Sequence, residues 1–413
     1  MSQKKRVVIT GLGVVAPNGI GKENYWDALK SGRSGVTRIN RFDPTPFPSQ
    51  IAGQVDDFNA EEVVGKRFVR RMDRTTHFAI ATSRMAVEDS KFDFSQLDSS
   101  RAGVLIGTSM CGIGYILEQH DTFIESGPMR ISPFTALASF PDACAGQVSM
   151  DLGIKGPSYA LSTACSSAND ALGYAMAAIR DNNLDCVLVG GSEATMFSPI
   201  YASFCAARAM STRNDEPEKA SRPFNLNRDG FVLGEGSAMF VLESYDSAKA
   251  RGAHIYAEVL GHGMTCDAHH MTAPDPSGEQ AARAMTEALA MADIKPEDVD
   301  YINAHGTSTP LNDKTETMVI KNIFGKRAYD IPVSSTKSMV GHLIGAAGSV
   351  ELAATLLSME NDMLHPTINY DVPDEECDLD YVPNKARPAK INIAMKNSFG
   401  FGGKNSISIL RKV

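Results

Sequence analysis

Short runs of β-prone residues alternate with helical patterns along the whole chain, at 6–10, 104–107, 186–190, 238–242, 256–260, 299–302, 332–335 and 406–410. Such steady alternation restricts the fold to layered α/β. Several runs, Val187-Leu-Val-Gly190 among them, are apolar on both faces, as expected of central strands sandwiched between helices. After residue 167, Ala168, Leu172, Ala175, Met176 and Ile179 recur at helical spacing, which predicts a buried, tightly packed helix rich in small residues. A similar Ala- and Leu-rich helix is predicted over 352–357. Strand, reactive residue, small residues and apolar helix thus occur in both halves, which hints at an internal duplication. The helix end stopped by Gly252 sets the boundary of the halves at 1–253 and 254–413.

With 413 residues the chain can form two domains or one large fused core. Its hydrophobic fraction of 43% and charged fraction of 22% are those of an ordinary globular protein. A net charge of -9 argues against general nucleic-acid binding and leaves room for a local basic patch facing an acidic carrier. Seven cysteines form no CxxC pair, and a chain this long needs no staples, so a reduced cytoplasmic protein is expected. The basic, apolar start soon meets Gly11, Gly13, Pro17 and Asn18 and reads as a first buried strand. No run of 18 apolar residues predicts a membrane span.

Cys165 lies in Leu161-Ser-Thr-Ala-Cys-Ser-Ser-Ala168, at a strand-to-helix turn where unpaired amides and the helix dipole favour thiolate. His305, in Asn303-Ala-His-Gly-Thr-Ser-Thr-Pro310, and His342, in Lys337-Ser-Met-Val-Gly-His-Leu-Ile-Gly-Ala-Ala-Gly348, both follow predicted strands and stand among glycines and hydroxyls. One cysteine and two histidines suit thioester chemistry, which needs a nucleophile and separate donors for enolate and oxyanion charge. Lys337 and Glu316 are expected to form a buried ion pair that orients the second histidine, the alternative being a solvated pair. Asn397-Ser-Phe-Gly-Phe-Gly-Gly403 reads as a loop offering amides and a mobile ring, or as a hairpin turn. Segments 211–228 and 272–278 are expected to be ordered loops over a site. Gly11-Leu-Gly13 lacks the dinucleotide spacing, Gly234-Glu-Gly-Ser237 lacks the nucleophile-elbow spacing, and His262, His269 and His270 lack zinc partners. No metal or cofactor is expected.

Together these motifs resemble the elongating β-ketoacyl-acyl-carrier-protein synthases, condensing enzymes of the thiolase superfamily, from Val7-Val-Ile-Thr-Gly-Leu-Gly to Ile409. The resemblance implies a thiolase fold, two similar halves stacked as five layers αβαβα and dimerised through the N-terminal half. It places Cys165, His305 and His342 on the catalytic triad, Lys337 and Glu316 on its support residues, and Phe401 on the gate. The amides of Cys165 and Phe401 become the oxyanion hole. Thr307 and Thr309 match pantetheine-binding positions, and Met110 and Thr135 match the acyl pocket. Lys66, Arg67, Arg70, Arg71 and Arg74, with Arg208 as a second candidate, match the surface that docks the acyl carrier protein.

Asp170 stands where fatty-acid synthases usually carry histidine, as in the ketosynthase subunit of type II polyketide systems, and Lys404 replaces a common threonine. The implied partners are therefore an acyl carrier protein and either a second copy or a homologous chain-length factor. A non-decarboxylating thiolase, or a non-catalytic subunit of a synthase complex, are the competing functions.

Overall fold

The computed structural model describes residues 4–413; Met1, Ser2 and Gln3 lie outside it. Five strands belong to the first half: β1 (Val7–Ala16), β2 (Ala102–Gly107), β3 (Ser158–Leu161), β4 (Cys186–Glu193) and β5 (Gly236–Ser244). Five more follow: β6 (Ala257–Cys266), β7 (Tyr301–Asn303), β8 (Val333–Ser334), β9 (Ile393–Gly400) and β10 (Lys404–Arg411). The strands run in the order β3-β2-β4-β5-β1-β6-β10-β9-β7-β8. Each half has the same sense of pairing: its first strand is antiparallel to its last, the last is antiparallel to the fourth, and the remaining pairs are parallel. The internal duplication expected from the motifs is therefore carried by the topology.

Three helices per half repeat in the same way. They are α1 (Arg74–Ser90), α2 (Ala143–Leu152) and α3 (Ser167–Arg180), then α4 (Glu279–Ala292), α5 (Pro310–Phe324) and α6 (Ala347–Glu360). α3 packs on β2 and β4 of its own half and on β6 and β10 of the other, while α6 packs on β9 and on β1, β4 and β5. These two helices form the middle layer. α1 and α2 cover the outer face of the first sheet, and α4 and α5 that of the second. Burial follows from this placement: Ala347 through Met359 of α6 are buried on every side, as expected of a helix between two sheets. Ala168, Leu172, Ala175, Met176 and Ile179 of α3 are buried as their spacing predicts.

The two sheets meet where β1 pairs with β6 through Val8–Glu258 and Ile9–Ala257. Glu258 joins three elements there, accepting from Arg6 Nη2 and Arg411 Nη2 at 2.6 Å each. Gly11 and Gly13 are structural: a Cβ at either would run into carbonyl oxygens of α1. Strands β3 and β9 escaped the sequence pattern. The segment over 397–400 expected to be loop is the end of β9, and only 401–403 turn.

His365 plugs the junction of β7, β8 and α6. Its ring nitrogens lie 3.2 Å from Ser334 Oγ, 3.0 Å from Thr336 Oγ1 and 3.1 Å from Ser358 Oγ. Burial pushes its pKa down to about 3, so the folded ring stays neutral while the unfolded one titrates near its ordinary value of about 6.5. The unfolded state then binds the extra proton between those limits, and stability from this residue is lost as pH falls. Wild type should therefore lose its advantage over His365→Gln by about 1.4 kcal/mol per pH unit below about 6.5, read from denaturant midpoints of both proteins between pH 7 and 5.

Candidate active site

Cys165 sits between the end of β3 and the start of α3, on a turn whose preceding residue, Ala164, has φ of 51°. A non-glycine residue in the left-handed region is uncommon, and here a web of bonds holds it. Ser167 Oγ and Ser109 Oγ both donate to the Ala164 carbonyl, at 2.6 and 3.1 Å. Thr163 N donates to Ser167 Oγ at 2.9 Å, and Thr163 Oγ1 to Asp170 at 2.6 Å. The tip of β9 presses on this elbow. A Cβ on Gly400 would lie 2.8 Å from the Thr163 carbonyl and 3.2 Å from the Cys165 amide. That approach brings the Phe401 N–H onto the Cys165 sulfur.

The thiolate expected from a helix N-terminus meets a larger opposing effect. Burial pushes the thiol up to about 11, against the pull of the Lys337 ammonium and the Phe401 amide. At rest Cys165 is a thiol.

His305 follows β7, as predicted. His342 instead follows a single helical turn, Lys337–Val340, and is held by the first half: its N–H donates to the Val232 carbonyl at 2.7 Å, and Gly234 N donates to its carbonyl at 2.9 Å. The imidazoles stand edge to face, centroids 5.4 Å apart and planes at 85°. Burial, followed by the charge of Lys337, drives both well below the ordinary histidine value. Both rings are neutral. Lys337 Nζ donates to the His305 carbonyl at 2.6 Å and lies 3.2 Å from His305 Nδ1. An ammonium can only donate, so Nδ1 is the acceptor and the single ring proton of His305 is on Nε2.

The expected Lys337–Glu316 ion pair does not form. Lys337 pairs with Glu351 of α6, and so does Lys396 of β9, 2.7 Å from Glu351 Oε2. Glu316 lies on α5, in the outer layer, and accepts from His305 N, Gly306 N and Asn397 Nδ2 at 2.8, 2.8 and 3.0 Å. It shapes the backbone beneath His305, whereas the inner-layer Glu351 holds the lysine. Glu351, Lys396 and Asn397 were missed from the sequence. The one charged residue in the Ala- and Leu-rich stretch 347–359 was the available signal for the first.

Glu193, at the end of β4, was also missed. It accepts from the amides of Ser109 (2.7 Å), Met110 (3.1 Å) and Gly345 (3.0 Å), tying the loop after β2 to the segment after His342. Burial pushes it up to about 7.

Cys165, His305, His342, Thr307, Thr309, Phe401 and Arg208 line one cavity of about 370 Å³, together with Glu316. Thr307 and Thr309 share a hydroxyl contact of 2.8 Å. The 272–278 loop borders the cavity through Thr272, Ala273, Pro274, Asp275 and Gly278. The 211–228 segment does not reach it and instead buttresses the turn after His305 through the Ser308 hydroxyl, which accepts from Arg222 N at 2.9 Å. Met110 and Thr135 do not line this cavity. Thr135 lies on a short helix beside exposed Leu137 and Phe140, since its segment faces outward from the first half. Lys66, Arg67 and Arg70 are exposed, and Arg71 stacks 4.7 Å over Phe134. Arg74 is no docking cation: its guanidinium is spent on Glu235, at 3.0 and 3.1 Å, and on the Val55 carbonyl.

The family described as "Beta-ketoacyl synthase, N-terminal domain" matches residues 4–248, and "Beta-ketoacyl synthase, C-terminal domain" matches residues 256–371. A 3-oxoacyl-[acyl-carrier-protein] synthase 2 of Synechocystis sp. is 46% identical over 410 residues, 99% of each chain. One of Coxiella burnetii is 47% identical over 411 residues, covering 100% of this chain and 99% of the other. Among solved structures, a type II polyketide acyl-carrier protein in complex with its ketosynthase bound to the hexaketide has a chain that superposes with a TM-score of 0.92 at 38% identity, covering all of both chains. The ishigamide ketosynthase/chain length factor gives 0.92 at 35% identity, covering 99% of this chain and 100% of that one.

With its thiol held near 11, Cys165 should react with iodoacetamide roughly tenfold faster for each pH unit between 7 and 10. Removal of the nearby ammonium in Lys337→Met should slow the reaction at each pH. Peptide mass mapping of the alkylated chain reads both outcomes.

Proposed function

We propose, because this chain belongs to the β-ketoacyl synthase family, that Cys165, His305 and His342 divide between them the two halves of a decarboxylative condensation. The protein is a 3-oxoacyl-[acyl-carrier-protein] synthase, an acyltransferase that extends a carrier-bound acyl chain by two carbons. One observation carries the division of labour: a single cavity holds a buried thiol beside two histidines kept neutral.

In the first half, the Cys165 sulfur attacks the thioester carbonyl of the acyl carrier. The oxyanion develops towards the amides of Cys165 and Phe401, and the carrier's thiol leaves with the proton that Cys165 gives up. In the second half, malonyl carrier enters along Thr307 and Thr309. Its carboxylate departs as carbon dioxide, and the electron pair of the broken C–C bond becomes an enolate. The Nε2–H of His305, fixed by Lys337 at the other nitrogen, donates to the enolate oxygen together with His342. The enolate carbon then attacks the Cys165 thioester, the new C–C bond forms, and the C–S bond breaks to release the Cys165 thiolate, which takes one proton from solvent to return to the thiol. Since the carbanion comes from the broken C–C bond, the chemistry calls for no metal or organic cofactor beyond the carrier's phosphopantetheine.

Docking of the acidic carrier falls to Lys66, Arg67, Arg70 and Arg71, with Arg208 at the mouth of the cavity. The first half also exposes large apolar side chains, including Met129 (92% exposed), Ile124 (68%) and Met150 (68%). Exposure of this kind suits a partner surface, and a second copy or a homologous chain-length factor would cover it. Among the described residues no helix is long and apolar enough to cross a membrane. All seven cysteines are free thiols, which suits a reducing cytoplasm.

Asp170 supports a second reading of the pathway. Its bond to Thr163 buries a carboxylate behind the elbow at the position where type II polyketide ketosynthases carry one. The mass of the carrier-bound product separates a reduced acyl chain from a poly-β-ketone.

Cys165→Ala should abolish condensation, whereas Cys165→Gln should still release carbon dioxide from malonyl carrier. In the latter background His305→Ala should cut that release by about 10²–10³-fold. Normal condensation by Cys165→Ala would overturn the assignment.

A further inference from the structure

Lys396 belongs to none of the roles assigned so far, yet it is completely buried within a catalytic-site layer. It lies on β9, whose neighbouring residues face opposite sides: Ala394 packs with the middle-layer cluster and Met395 with the outer one. Lys396 accordingly reaches Glu351 of α6, and Asn397 reaches Glu316 of α5. Its ammonium also donates to the Asn397 carbonyl at 2.9 Å and to Ser398 Oγ.

The charges around the histidines explain why an ammonium belongs there. Glu351 faces two ammonium groups, Lys337 and Lys396. Glu316 accepts three N–H donors, the contact set of an ionised carboxylate; burial lowers the Lys396 pKa, and the charges of Glu351 and then Glu316 oppose that fall. Two carboxylates and two ammoniums thus balance in a region where all four residues are buried. With Lys396 removed, the remaining three groups carry a net negative charge directly beneath His305 and His342. Negative charge favours protonated imidazole. A proton on His305 Nδ1 would leave Nε2–H in place but turn Nδ1 into a donor facing the Lys337 ammonium, pushing the ring off Lys337 and spoiling the aim of Nε2–H.

We propose that Lys396 is a positioning residue that completes a four-charge network beside His305 and His342, so that the His305 ring stays seated on Lys337 and its enolate-stabilising N–H stays aimed into the acid range. This rests on the histidine roles given above.

The test is carbon dioxide release from malonyl carrier by the full-length protein between pH 7 and 4. Lys396→Met, similar in length and without charge, should move the acid limb of the profile up by about one pH unit while leaving the plateau near neutral pH within about threefold of wild type. A folded Lys396→Met whose acid limb stays in place overturns the proposal. Should that variant not fold, Glu351→Gln is compared with Glu351→Gln/Lys396→Met, where the buried pair is removed together. The limb of the double variant should then lie higher than that of the single by the same about one unit, and coincident limbs overturn the proposal. His305→Ala and His342→Ala run alongside: undiminished release by both would sink the histidine roles themselves, whereas strong loss with an unmoved limb in the Lys396 variants sinks only this inference.

Discussion

The Lys337 ammonium has three hydrogens and no lone pair, and the arrangement of the site depends on that fact. Buried to 1% exposure, it must find acceptors, and it finds them in the His305 carbonyl, His305 Nδ1 and Glu351. One side chain therefore fixes the position and the tautomer of a histidine, and adds to the burial that keeps it neutral. The same charge also draws on the thiol of Cys165 and lowers the pKa of His342. A desolvated charge of this kind is costly unless fully paired, which accounts for a glutamate inside a middle-layer helix that has no other charge between 347 and 359.

The duplicated topology gives these charges somewhere to be. Each half places one helix in the middle layer, and the two reactive ends of the structure converge between the sheets. The cysteine comes from the turn before the first of those helices, and both histidines come from the second half. Neither half holds a complete site. Contacts that fix the geometry cross the pseudo-symmetry: Gly400 against the cysteine elbow, Val232 against His342, and Glu193 against Gly345.

Much of this was legible in residues whose types are chemically unusual in their settings. Cys165 among small residues at a strand end, and His305 and His342 among glycines, announced themselves, and the period of α3 gave its buried face. Two strands did not. β3 has four residues with mixed exposure, and β9 carries a lysine and an asparagine whose purpose is visible only when α5 and α6 are in place. The Lys337–Glu316 pairing failed for a related reason: sequence spacing offers several carboxylates but does not say on which side of a sheet each stands. Arg74 was misjudged because its partner, Glu235, is 161 residues away.

The strand order also bears on how the polypeptide folds. In the second sheet, β10 and β9 lie between β6 and the β7–β8 pair, yet they follow all three in the chain. Until that hairpin inserts, β6 and β7 have no continuous ladder between them, and the sheet keeps two open edges. Long-range pairings of this kind close late and expose aggregation-prone edges meanwhile. Because the β9–β10 hairpin also delivers Lys396, Asn397, Gly400 and Phe401, the insertion that seals the sheet is at once the step that completes the lining of the site.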